Sequence, residues 1–134
     1  MACQAGTNPA VININNNVTL HVFCVAHAKN LQRVTLSFAT DMSNPIGVFI
    51  GNGEGVAMPL DTGNQVLSIP TGSNNGLFAQ FTYSVDGVTF QNATVCAPLT
   101  TSAPGLTVTT VTSEDETDDD DNDSYLTVVQ LSSR

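Results

Sequence analysis

The sequence is short of positive charge. Of its 134 residues, three are lysine or arginine and twelve are aspartate or glutamate, which gives a formal net charge of −9 at pH 7. A basic patch is the usual electrostatic footprint of a nucleic-acid-binding protein, so nucleic acid is excluded as a partner. The same scarcity argues against electrostatic binding to anionic membranes. No run of eighteen apolar residues occurs, so membrane insertion is not expected.

Helical periodicity is also missing, because no stretch keeps its apolar residues at helical spacing for three turns. Short apolar or alternating segments are separated by clusters of Gly, Asn, Ser and Pro, and Asp86-Gly87 predicts a hairpin turn before a strand at 88–90. This pattern predicts an all-β fold, an antiparallel β-sandwich, in a single domain over residues 1–134. The other predicted strands are 18–25, 34–38, 46–50, 77–85, 106–112 and 124–131.

Three cysteines show no C-x-x-C spacing and so do not indicate a zinc site. Cys24 falls in an apolar strand pattern and is expected to be a small buried hydrophobe. Cys3 and Cys96 both lie in turn-rich sequence and could pair, which would leave Cys24 as a free thiol. The N-terminus lacks the basic and apolar regions of a signal peptide, so we expect a trimmed chain, another export route or retention in the cell.

Sequence motifs of common enzymes are absent: there is no G-x-S-x-G, no H-E-x-x-H and no phosphate-binding G-x-x-x-x-G-K-[ST]. His21 and His27 fall on one side of one predicted strand, where a structural role is favoured over a catalytic one. Glu54, between two glycines, is interpreted as a turn residue. A glycosidase would need one acid of raised pKa in a cleft. The chain is therefore predicted not to be an enzyme.

Residues 114–123 contain eight of the twelve acidic side chains. Such crowding costs about 1 kcal/mol per close pair even in water. It is tolerated where a multivalent cation binds or where the segment is a solvated tail. A tail would continue into polar, low-complexity sequence, whereas here a strand-like stretch follows at 124–131. The pattern therefore favours a metal-binding loop between two strands.

The order of the ligands favours Ca²⁺, which takes six to eight oxygen ligands. An EF-hand starting at Asp118 would need glycine at its sixth position and glutamate at its twelfth, and these positions are Asp123 and Val129. The loop is therefore not an EF-hand. The candidate ligands are Glu114, Asp118, Asp120, Asn122 and Asp123.

The run from Ser113 to Asp123 closely resembles the S-E-D-G-T-D-x-D-x-N-D loop of the calcium-dependent fucose- and mannose-binding lectins of bacteria, the fucose-binding lectin II family. The match has no gap, and Glu116 stands where the family has glycine. Residues 11–38 also align without a gap, mostly by pattern, and Ser84-Val-Asp-Gly87 matches a family hairpin turn. Residues 39–76 are longer than in the family and do not align.

The resemblance implies a site with two adjacent calcium ions, both ligated directly by vicinal sugar hydroxyls. His27 falls where the family supplies a backbone carbonyl to calcium. The terminal carboxylate of Arg134 falls near the position that completes the site of a neighbouring subunit, one residue beyond the family's terminal glycine. The implied side-chain ligands are Glu114, Asp118, Asp120, Asn122 and Asp123, with Asp120 and Asp123 bridging the ions.

For the sugar, the resemblance implies that Asp115 accepts a hydrogen bond and that Ala28, Lys29 and Asn30 form the specificity loop. In the family, alanine at the first loop position goes with mannose preference and a hydroxyl-bearing residue with fucose. The implied protein is a Ca²⁺-dependent lectin for mannose- or fucose-containing glycans, as a homodimer or higher homo-oligomer. The alternative is a structural or adhesion module whose calcium never contacts sugar. A hydrolase using an acidic pair is weaker.

Overall fold

The computed structural model of the protein describes residues 3–115 and 123–132. Within these ranges the secondary structure consists of ten β-strands. None of the described residues forms a helix with the length and apolar character needed to cross a membrane. The strands are β1 (Ala10–Asn13), β2 (Thr19–Phe38), β3 (Gly47–Ala57), β4 (Leu67–Pro70), β5 (Gly76–Ser84), β6 (Gln91–Asn92), β7 (Thr94–Val95), β8 (Leu99–Ala103), β9 (Leu106–Glu114) and β10 (Ser124–Leu131).

The long strand β2 connects the two halves of the fold. It merges the predicted strands 18–25 and 34–38 into one strand of 20 residues. Its first half, Thr19 to Ala26, pairs with β10, and its second half, Leu31 to Phe38, pairs with β5. Residues 27–30 therefore lie where β2 leaves one neighbour and joins the next. This segment includes residues 28–30, which the family resemblance implies form the specificity loop.

All strand pairings are antiparallel, and the sheet order is β1-β5-β2-β10-β9-β7. β3 and β4 also pair with β2, β6 with β5, and β8 with β9. Alternate residues along these strands point into one apolar core, in which each large side chain contributes about 1.5–3 kcal/mol. The all-β sandwich prediction is confirmed. Large members of the core include Leu20, Leu36, Phe49, Met58, Leu77, Phe81 and Leu126.

The cysteines behave as the sequence allowed. Cys24 is 1% exposed in the core, and it is a free thiol whose pKa is raised by burial. Cys3 and Cys96 form a disulfide with a Cα–Cα distance of 5.8 Å. The pairing that the sequence left open is therefore made.

Two local predictions are wrong. The turn at Asp86-Gly87 exists, with Gly87 at φ 81°, but the strand that pairs back onto β5 is β6 and not 88–90. The reason is that the amides of Val88 and Thr89 donate to Asp86 Oδ1. Glu54 is not in a turn but within β3, beside Gly53 and Gly55, whose positive φ angles accommodate a shift of register against β2.

Candidate functional site

Three carboxylates meet where β9 ends and β10 begins. Ser113 of β9 pairs with Ser124 of β10, so Glu114, Asp115 and Asp123 lie just beyond this pair at one end of the sheet. One carboxylate oxygen from each residue lies within 4.8 Å of the others. Their side chains are nearly buried, at 3%, 8% and 2% exposure. Paired strands on both sides thus hold a compact set of oxygen ligands in place.

Asp123 is held at three points by the surrounding backbone. Its N–H donates to Ser113 O at 2.9 Å, and its carbonyl accepts from His27 N at 2.9 Å. Its Oδ2 accepts from Asp115 N at 2.6 Å. Burial nevertheless raises the pKa of Asp123 to about 6, because a carboxylate removed from water is harder to ionise. A cation among these oxygens would reverse that effect.

The donor set fits a hard divalent cation. Carboxylate oxygens are preferred ligands of Ca²⁺, and three of them converge at this end of the sheet. Nearly buried carboxylates this close together would repel one another strongly without a compensating positive charge. Of the predicted ligands, Glu114 and Asp123 are brought together here. The predicted ligands Asp118, Asp120, Asn122 and Arg134 lie outside the described residues.

The two histidines make ordinary structural contacts. His21 Nδ1 lies 2.7 Å from Ser68 Oγ. The His27 ring is tilted against Tyr125 with centroids 4.9 Å apart, and its Nδ1 lies 4.0 Å from Glu54 Oε2. The main-chain N–H of His27 is used by Asp123. The role of the His27 carbonyl as a calcium ligand stays a prediction.

The predicted specificity loop coincides with an irregularity between β2 and β3. Ala28 pairs with Gly53 and Gln32 pairs with Gly51, so three residues of β2 stand opposite Asn52 alone. Such extra residues bend a strand and redirect its side chains. The Asn52 side chain secures the loop by donating to Lys29 O at 3.0 Å. Lys29 is exposed, whereas Ala28 is 4% exposed.

Asp115 connects this loop to the acidic cluster. Its Oδ2 accepts from Asn30 Nδ2 and from Gln32 Nε2, both at 3.1 Å. Two residues that the sequence assigns to sugar binding, Asn30 and Asp115, are therefore in direct contact. The roles of Ala28, Lys29, Asn30 and Asp115 toward sugar stay predictions.

The sequence analysis missed Gln32 and Ser124. Gln32 is 1% exposed, and its Oε1 accepts from Ser124 Oγ at 3.1 Å. Its Nε2 also donates to Asn30 O at 3.1 Å. Gln32 occupies an inward position among apolar residues of β2. A polar residue at an inward position of an otherwise apolar strand face is a sequence signal that could have identified Gln32.

The fold is shared with three solved bacterial lectin structures. Chromobacterium violaceum lectin CV2L, in complex with alpha-methyl-fucoside, has a TM-score of 0.72 and 20% identity, covering 92% of this chain and 96% of that chain. The Ralstonia solanacearum high-affinity mannose-binding lectin has a TM-score of 0.68 and 22% identity, with coverage of 92% and 96%. The C-terminal domain of the BC2L-C lectin from Burkholderia cenocepacia has a TM-score of 0.64 and 18% identity, with coverage of 90% and 94%.

The sequence also matches a known family. The search of curated proteins gave no significant match. The family described as Fucose-binding lectin II (PA-IIL), however, matches residues 12–132, from within β1 to just beyond β10. This is a family of sugar-binding proteins and not of enzymes, so the prediction that the chain is not an enzyme is confirmed. With a match over nearly its whole length, the chain belongs to the fucose-binding lectin II family.

Proposed function

We propose that this protein is a calcium-dependent lectin that binds mannose- or fucose-type monosaccharide units through two Ca²⁺ ions in the 114–123 loop. The observation that carries the proposal is the convergence of Glu114, Asp115 and Asp123 at the junction of β9 and β10. Membership of a fucose-binding lectin family supports a sugar-binding role for this acidic cluster. Beyond the described residues, Asp118, Asp120 and Asn122 are proposed to complete the ligand set, with Asp120 and Asp123 shared by both ions.

The cations provide what the protein alone lacks. Neutral sugar hydroxyls are weak ligands for protein groups, whereas bound Ca²⁺ accepts their lone pairs in place of metal-bound water. The carboxylates balance the charge of the ions, and Asp115, held by Asn30 and Gln32, is proposed to accept a hydrogen bond from a sugar hydroxyl.

Mannose is proposed to bind at least as well as fucose. Ala28 supports this preference, because it occupies the first position of the specificity loop and offers the sugar no side-chain hydroxyl. Two proteins of similar fold are consistent with either sugar: one is solved with alpha-methyl-fucoside and another is named as mannose-binding. A homodimer or larger homo-oligomer, with the carboxylate of Arg134 near a neighbour's site, is part of the same proposal.

Calorimetry tests the proposal directly. Mannose, fucose and galactose are titrated into the protein in millimolar Ca²⁺ and again in excess chelator. We expect binding of mannose and fucose in Ca²⁺ alone, and a melting temperature that rises with Ca²⁺ because the ion binds only the folded state. Equal sugar binding in chelator would exclude the metal-bridged mechanism. Calcium binding without affinity for any sugar would favour the structural module.

A matched pair of variants locates the site. Asp123→Asn removes one proposed ligand charge, and we expect at least about a tenfold loss of calcium affinity. Asp61→Asn changes the same group in an exposed loop outside the cluster, and we expect no change in calcium affinity. Equal calcium affinity in both variants would place the metal elsewhere.

A further inference from the structure

Two hydrogen bonds connect β10 to Asp115 through one buried side chain, and a third connects that side chain to the 28–30 loop. Ser124 Oγ donates to Gln32 Oε1 at 3.1 Å, and Gln32 Nε2 donates to Asp115 Oδ2 at 3.1 Å. The same Nε2 also donates to the main-chain oxygen of Asn30 at 3.1 Å. Gln32 and Ser124 are each 1% exposed, so water does not compete for these contacts.

The direction of these bonds is set by Asp115 and Asn30, whose oxygens can only accept. A glutamine amide presents an acceptor on one side and a donor on the other. If the amide were rotated by half a turn, its oxygen would face the Asp115 carboxylate and repel it. The NH₂ group is therefore directed toward Asp115 and Asn30, and the Ser124 hydroxyl donates to the remaining Oε1. Ser124 follows Asp123 directly in the chain, so the same strand end places a metal-cluster acid and anchors Gln32.

Gln32 contacts both parts of the proposed sugar site. Its Nε2 donates to the carboxylate of Asp115 and to the main-chain oxygen of Asn30 in the 28–30 loop. The loop has no regular pairing with β3 between Ala28 and Gln32. Side-chain contacts must therefore fix its position, and binding groups bind best when they are held in place before the ligand arrives.

We propose that Gln32, anchored by Ser124, is a positioning residue for sugar recognition that aligns the Asp115 carboxylate with the 28–30 loop. It touches neither sugar nor metal and acts through Asp115 and Asn30. The inference rests on the proposed lectin function. The Ser124–Gln32–Asp115 hydrogen bonds, here called the Gln32 relay, contribute to sugar affinity and are not required for calcium binding.

The test compares two buried glutamines. Gln32→Met removes the amide while keeping the length of the side chain. Gln130→Met is the matched control, because Gln130 is 3% exposed and makes two backbone hydrogen bonds, with Asn15 N and Asn13 O. It lies on β10 about 20 Å along the strand from Ser124, at about 3.3 Å per residue. Mannose and calcium affinities are measured by calorimetry, and melting temperatures in chelator.

We expect Gln32→Met to lose about tenfold in mannose affinity at saturating Ca²⁺, the effect of one hydrogen bond to a charged group. Its calcium affinity should stay within about twofold of wild type. Gln130→Met should lower the melting temperature similarly and leave mannose affinity unchanged. Parallel losses of calcium and mannose affinity in Gln32→Met, or an equal mannose loss in Gln130→Met, would overturn the proposal. Absence of any sugar binding by wild type would instead overturn the lectin function.

Ser124→Ala provides a second test with a minimal change, which also serves if Gln32→Met does not fold. We expect a smaller loss of mannose affinity, because the Gln32 amide then loses one of its three hydrogen bonds and is held less firmly. The double variant Gln32→Met/Ser124→Ala should bind mannose no more weakly than Gln32→Met alone, since Ser124 acts through Gln32. Additive losses, or wild-type mannose affinity in Ser124→Ala, would show that the relay has no role in sugar binding.

Discussion

Asp86 organises the turn after β5 through a single carboxylate oxygen. Asp86 Oδ1 accepts from the amides of Thr89 and Val88, both at 2.8 Å, and from Ser84 Oγ at 2.9 Å. These bonds favour the ionised form, and they lower the pKa of Asp86 to about 2. The side chain thus takes the donors that a directly returning strand would have used.

The first prediction concerns the pH dependence of this turn. The pKa of Asp86 is lower in the folded than in the unfolded protein. The ionised carboxylate therefore stabilises the fold at pH values above the pKa of an unfolded aspartate, and this stabilisation disappears as the pH falls through about 2. Asp86→Ala should therefore reduce the free energy of unfolding at pH 7, and the difference from wild type should shrink toward pH 2. Denaturant unfolding at pH 7, 4 and 2.5 measures it.

Asp61→Ala is the control for this measurement, since it removes an exposed acid from another loop. It should show no comparable change with pH. A difference between Asp86→Ala and wild type that is the same at all three pH values would contradict the prediction and assign the stabilisation to packing of the turn.

At the scale of the strands, the side chain of Asn8 provides β5 with an additional hydrogen-bonding partner. Asn8, two residues before β1, donates through Nδ2 to Phe81 O at 2.7 Å and to Ala93 O at 2.9 Å, and its Oδ1 accepts from Phe81 N at 3.0 Å. The amide thereby acts like a peptide group of a longer β1. Phe81 and Ala93 are 1% and 6% exposed, so water cannot readily replace Asn8.

We predict that Asn8→Ala lowers the free energy of unfolding by about 2–3 kcal/mol, because it leaves buried backbone groups without hydrogen bonds. Equilibrium denaturation measures the change. Asn44→Ala, at an exposed turn where the side-chain amide donates to the Asp41 carboxylate, should stay within about 0.5 kcal/mol of wild type. Equal losses in the two variants would mean that Asn8 contributes no more than a surface turn residue.

The elements differ in how far the sequence could predict them. β9 and β10 were predicted almost completely, because a short run rich in β-branched and apolar residues is a local signal. Only the end of β9 was missed, since it extends two residues beyond the predicted end at 112 and takes in Glu114, the first residue of the acidic run. The sequence predicted two strands in place of β2, because residues 26–33 interrupt the alternation of apolar residues. In the structure these residues continue one strand, because β2 pairs with β3, β5 and β10.

The candidate site shows the same division between local and long-range information. The acidic run and the strands on either side of it were predicted from neighbouring residues in the sequence. The family resemblance then assigned Glu114, Asp115 and Asp123 to the site. The Gln32 relay was not readable, because its partners Ser124 and Asp115 are 92 and 83 residues away in sequence. Only the folded arrangement of β2 beside the β9–β10 junction brings them together.

At the scale of the whole molecule, the disulfide joins the N-terminal segment to the sheet edge beside the site. Residues near Cys3 also form backbone hydrogen bonds with residues 95–97. Gly6 N donates to Val95 O, and Ala97 N donates to Gln4 O. This edge continues to the acidic cluster, because Thr94 of β7 pairs with Glu114 of β9. Gly6 permits the close approach, since a Cβ there would lie 2.8 Å from Ala97 N.

The last prediction is that the double variant Cys3→Ser/Cys96→Ser loses about 2–5 kcal/mol of stability, because the bond restricts an unfolded chain over a sequence separation of 93 residues. Denaturant unfolding without reductant measures the loss. In reductant, wild type should fall to the stability of the double variant, whereas the variant should not change, since its remaining thiol, Cys24, is buried and unpaired. Equal stability of the two proteins without reductant would show that the N-terminal segment is held by its backbone hydrogen bonds and not by the disulfide.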